Sequence, residues 1–104
     1  MTACPISTSK GVKAADVAWC SAGIWAETKD DVCFVRCPEI CVEVISPCNT
    51  KSEIAEKKQL YFESGAKEVW ICDQAGAIKF YECSDPDKAR VGSALCKDFP
   101  AQID

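Results

Sequence analysis

The sequence predicts an α/β domain in which a mixed sheet carries one main helix, placed after the central strand. Three observations lead there. The run "ICVEVIS" from Ile40 to Ser46 is β-branched and almost unbroken, as a strand covered on both faces is. The "TKSE" that follows opens a helix, and "EVWICD" with "AIKFYEC" reads as a further strand and its hairpin partner. A chain of 104 residues has room for one core, so residues 1–104 are read as a single domain.

Taken in order, the opening "MTACPISTSKG" has no apolar core of signal-peptide length, and no stretch approaches a membrane span. A cytoplasmic location is therefore expected. "VKAADVAWC" reads as a short strand around Val17 to Trp19, and "SAGIWAETKDD" as a surface connection. Pro47 ends the central strand. Thr50 and Glu53 then form a capping box, good helix formers follow, and Gly65 supplies the stop. "QAG" and "SDPDK" are turns, and "RVGSALCKDFPAQID" is expected to hold one last edge strand. The order is β, β, α, β, β, with the Glu43 strand interior.

Composition narrows the function classes. Hydrophobic residues make up 48% of the chain and its charges are interspersed, which excludes disorder. A net charge of -4 excludes the broad basic face of a non-specific DNA binder, so any nucleic-acid contact must be local. The nine cysteines contain no CxxC and no histidine joins them; the densest spacing is Cys33, Cys37 and Cys41. They read as reduced, mostly buried thiols acting as small hydrophobes, not as a zinc or redox centre.

The residue that resists a packing explanation is Glu43. A buried carboxylate costs several kcal/mol unless it is paired or ligates a metal. Strand alternation puts Ile40, Val42 and Val44 on one face and Glu39, Cys41, Glu43 and Ile45 on the other. On the following helix Ile54 and Tyr61 mark the inward stripe. Lys57 lies between that pair and Leu60, Lys58 between it and Phe62, and the geometry does not choose between the two lysines. An acid on a central strand, a second from a neighbouring strand such as Asp16, and a lysine nearby are the parts of a magnesium-dependent phosphodiester site. A buried Glu43–Lys57 ion pair that only fixes helix to sheet uses the same residues.

The segments "DVAW" and "PEICVEVISPCNTKSEIAEKKQLYFESGAKEVWICD" resemble the Uma-two family of endonucleases, within the PD-(D/E)XK restriction-endonuclease-like superfamily. The resemblance runs over roughly residues 10 to 83, with several motifs in order at the right spacing. It implies a restriction-endonuclease-like sheet and hydrolysis of DNA phosphodiester bonds with Mg2+ or Mn2+. By position it makes Asp16 and Glu43 the metal ligands, Lys57 the catalytic lysine, and Glu39 an auxiliary acid in place of the family's aspartate. Ser46 and Asn49 become turn caps, while Tyr61, Gly65, Trp70 and Asp73 fall on packing and turn positions. The family usually has a longer N-terminal region with helices, so the chain is expected to leave one sheet face open. A second copy would cover that face in a homodimer, or the fold would serve as an inactive interaction module.

Overall fold

The computed structural model describes residues 2–28 and 37–102. The described residues form six strands and two helices, in the order β1 (Thr2–Thr8), β2 (Gly11–Trp19), α1 (Ala22–Thr28), β3 (Ile40–Val44), α2 (Lys51–Glu63), β4 (Glu68–Cys72), β5 (Ile78–Glu82) and β6 (Asp85–Arg90). The strands form one mixed sheet in the order β1-β2-β3-β4-β5-β6. Only β3 and β4 run parallel, and α2 is the crossover that a parallel pair requires. The Glu43 strand is interior, as its apolar character predicts.

Helix α2 starts and stops where its caps place it. The Thr50 hydroxyl accepts the Glu53 N–H at 3.1 Å, and Gly65 takes a left-handed φ of 114° that closes the last turn. Ahead of it, Asn49 Oδ1 accepts from the Ser46 N–H at 2.9 Å and from its hydroxyl at 3.1 Å. These two residues are the turn caps that the resemblance implies. Asp73 Oδ1 likewise takes the Ala75 and Ala77 N–H groups, forming the turn from β4 to β5 with Gly76 at φ 87°.

Side-chain alternation along β3 divides the core in two. On the α2 side Cys41 and Tyr61 pack with Ile6, Val69 and Ile71, while on the other side Ile40 packs with Trp70, Ile78 and Phe80. Trp70 meets Phe80 edge-on at 5.0 Å and Phe99 at 4.6 Å. The residues after β6 thus lie over this second cluster. Glu68 fastens them there: it is 2% exposed and accepts from Trp70 Nε1, the Ser93 hydroxyl and the Ala94 and Leu95 N–H groups at 2.6–3.1 Å. Four neutral donors satisfy this carboxylate without a counter-ion.

Four expectations are corrected. The opening residues form β1, an edge strand that tolerates Pro5, joined to β2 by a tight turn at Ser9 and Lys10. The stretch after Cys20 contains α1, whose start Ser21 caps by accepting the Ile24 N–H at 3.4 Å; residues 29–31 of the expected connection lie outside the described residues. Of "SDPDK" only Ser84 lies in the turn, while Asp85 to Lys88 open β6, and among the described residues the tail after β6 adds no strand beyond an isolated bridge from Ala77 to Gln102. Finally, β3 is not fully covered on both faces. Val44, Val17 and Trp19 are 45%, 40% and 50% exposed, while Ile40 and Val42 of the same strand face pack into the second cluster.

Among the described cysteines, Cys37, Cys41 and Cys72 are buried, Cys20 and Cys96 half-buried, and Cys48 and Cys83 exposed at turns. Burial thus holds for three of them. The Cys37 and Cys41 sulfurs lie 3.7 Å apart in the α2-side core; Cys33 lies outside the described residues.

Replacing Glu68 by alanine strands four donors in the second cluster. The substitution is expected to destabilise the domain by about 3 kcal/mol or more. Urea unfolding followed by tryptophan fluorescence checks this, and an unchanged midpoint would show that the tail is not held by Glu68.

Candidate active site

Three elements converge on Glu43. The β2–β3 register pairs Val17 with Val42, and continuing it by one residue sets Asp16 opposite Glu43 on the face that α2 covers. Asp16 Oδ2 accepts the Val44 N–H at 2.7 Å, which ties the acid to the end of the β2–β3 ladder. From α2, Lys57 and Tyr61 stand four residues apart on one helical face and both reach the same carboxylate. The Tyr61 hydroxyl donates to Glu43 Oε1 at 2.7 Å, and Lys57 Nζ lies 3.4 Å from both Glu43 oxygens. Lys57 also donates to the Ala14 carbonyl on β2 at 3.3 Å.

The structure therefore brings together Asp16, Glu43 and Lys57. It also resolves the choice of lysine: Lys58 turns to the other side, its ammonium 4.0 Å over the Tyr81 ring. Glu39 is not in the cluster. It stands about 13 Å from Glu43 along β3, where its Oε1 accepts the Ser21 N–H at 2.9 Å and anchors the start of α1. Burial acts against its charge, but the hydrogen bonds from Ser21 hold its carboxyl below the usual range.

Tyr61 was legible as a core residue, and it is fully buried, yet its hydroxyl is also the shortest contact of Glu43. The signal lay in the four-residue spacing from Lys57 to Tyr61, which puts a phenol one turn beyond the lysine.

Burial is the main influence on Glu43, 3% exposed, and pushes its carboxyl up; the Tyr61 and Lys57 bonds pull it down, and the Asp16 charge adds to the rise. Burial and the neighbouring carboxylate also push the Tyr61 phenol far up, so it stays protonated and donates. The site is a partly desolvated carboxylate pair that favours a cation, and Lys57 faces both Glu43 oxygens symmetrically where a cation is favoured.

The donor set suits a hard divalent ion. Magnesium binds through one or two carboxylates, keeps several waters and completes its shell on phosphate oxygens. Asp16 and Glu43 supply that number, while among the described residues no group of three or more His, Cys, Asp or Glu side chains gathers into a larger cage.

The family model Uma2, described as "Putative restriction endonuclease", matches residues 2–91. The chain belongs to this family. The Uma2 match covers β1 through β6, and therefore every residue of the cluster. In three dimensions the chain is similar to a crystal structure from Anabaena variabilis ATCC 29413, described as "a putative nuclease belonging to DUF820", with a TM-score of 0.66 and 14% identity. The match covers 88% of this chain and 52% of that one, so this Uma2 chain spans about half the length of that relative. At this identity the likeness is one of fold. No curated protein matches the chain.

The Glu43→Gln variant separates charge from shape. Because the folded carboxyl is raised above the ordinary 4.5, the stability tied to Glu43 is fully present below that pH and is lost as pH rises through the raised value. Glutamine removes this dependence and keeps an acceptor for Tyr61. Lys57 is about a third exposed and can turn to water, so the variant is expected to be at least as stable as wild type at neutral pH. Its advantage shrinks as pH falls toward 4.5. Denaturant melts of both proteins across that range measure it. A loss of about 3 kcal/mol at neutral pH would instead identify a buried structural ion pair.

Proposed function

We propose that the protein is a metal-dependent endonuclease acting on DNA, with Asp16, Glu43 and Lys57 as its catalytic residues. The observation that carries this reading is the lysine ammonium held against a buried carboxylate, itself opposite a second acid, in a chain of the Uma2 family. A bound Mg2+ or Mn2+, held by Asp16 and Glu43, would activate water and neutralise charge on the phosphate.

The chain's own residues do the remainder. The Tyr61 hydroxyl fixes the Glu43 carboxylate in one orientation, and the β2–β3 ladder fixes Asp16 through the Val44 N–H. Lys57 is the mobile member: its exposed fraction lets the ammonium move from Glu43 to a phosphate oxygen, where it stabilises the charge that builds in the transition state. A net charge of -4 keeps nucleic-acid contact local.

Plasmid nicking with Mg2+ or Mn2+ tests the reading. Wild type is expected to cut only with metal, Glu43→Ala and Asp16→Asn to abolish cutting, and Lys57→Met to slow it by about 100-fold or more. Calorimetric titration with Mn2+ should show binding lost in Glu43→Ala. A folded protein that binds the metal and cuts neither plasmid nor oligonucleotide would overturn the nuclease role.

The open stripe of Val17, Trp19 and Val44 favours a second reading, in which the fold acts as an interaction module and a second copy covers the stripe. Sedimentation equilibrium should then give a dimer that Trp19→Glu dissociates, whereas a monomeric wild type would remove this reading.

A further inference from the structure

Beside the carboxylates, on the same face of the sheet, a cleft of about 610 Å³ opens between α2 and the β4–β5 hairpin. Its position follows from the register. Ile45, which lines it, lies two residues beyond Glu43 on the same face, about 7 Å along the strand. On α2, Lys57 and Tyr61 turn to Glu43 while Ile54 and Lys58 turn to the cleft, so site and cleft share one helix as their common wall.

The chemistry of the lining is two-fold. Ile54, Ile71 and Tyr81 form an apolar floor, and Lys51, Lys58 and Lys79 stand around it. The one acid present, Asp73, already accepts two backbone N–H groups of its turn. Three ammonium groups against one carboxylate make this a positive hollow in a chain of net charge -4. Lys58, poised over the Tyr81 ring, holds its charge inside the cleft instead of out in solvent. A ligand that matches is flat, apolar on its faces and anionic at its edge, and the volume lies within the usual range for small-ligand pockets.

We propose that the cleft receives one unpaired nucleotide of a DNA strand, its base on the apolar floor and its flanking phosphates on Lys51, Lys58 and Lys79. The proposal rests on the nuclease reading of the adjacent carboxylates, to which it adds the form of the substrate. A duplex hides the faces of its bases and presents phosphates and groove edges, so it has no use for an apolar floor. An unpaired strand offers a base face at every nucleotide, and aromatic floors with basic rims are how such strands are held.

The test is fluorescence anisotropy with a short labelled single-stranded oligonucleotide and its duplex, using the full chain in EDTA so that no cutting occurs. The single strand is expected to bind at least tenfold more tightly than the duplex. Lys51→Ala/Lys79→Ala changes only two exposed side chains and should weaken single-strand binding about tenfold. It should also lower the slope of log K against log salt by about 1.4, two contacts at about 0.7 each. Equal or tighter duplex binding, or a double variant that binds like wild type, would overturn the proposal. Single-strand binding that needs these lysines, in a protein that never cuts, would leave the cleft standing and sink only the nuclease reading.

Discussion

A carboxylate buried in the middle of a sheet must be given donors, and Glu43 obtains its own from a single helical face. That requirement fixes more than a side chain. It sets the rotation of α2, since only one face presents both Tyr61 and Lys57. It sets the height of α2 over β3, since a shift by one residue would replace the phenol with Leu60 or Phe62. Through Ala14 and Asp16 it also binds β2 to the same arrangement. The parallel β3–β4 pairing then follows from where α2 must deliver the chain.

The two buried glutamates of the core are satisfied in different currencies of chemistry. Glu68, on the face away from α2, has four neutral donors and holds the tail in place. Glu43 has one neutral donor and one cation that is about a third exposed. The first is closed, with its lone pairs turned to fixed groups of the chain. The second keeps a partner that is 32% exposed to solvent. The two acids thus differ in the surroundings of their donors, which burial of the carboxylate alone does not show.

Much of this was legible before the coordinates. The apolar strand with one acid, the helix caps and the β4–β5 hairpin all stand in the sequence, because each depends on neighbours within a few residues. Asp16 and Glu43 were paired through family resemblance and strand alternation, and the β2–β3 register places them opposite one another. What stayed hidden depends on distant partners. β1 carries Pro5 and small polar residues and becomes a strand only because β2 lies beside it. β6 is a charged run with a proline, held by pairing to β5. Glu39 sits in a suggestive motif yet is claimed by Ser21, eighteen residues earlier in the chain. Glu68 gave no sign because three of its four donors, the Ser93 hydroxyl and the Ala94 and Leu95 N–H groups, come from the irregular tail far along the chain.

Strand order along the sheet is the strand order of the chain. Adjacent pairs such as β1–β2 and β4–β5 are therefore short hairpins, which close on the microsecond scale and need little loop entropy. The slower joins are the β2–β3 pairing across the long connection and the parallel β3–β4 pairing across α2. Those two joins are the ones that bring Asp16 opposite Glu43 and Lys57 to Glu43. The topology thus ties the assembly of the cluster to the last and least local steps of folding, so a chain that has only its hairpins carries no such centre.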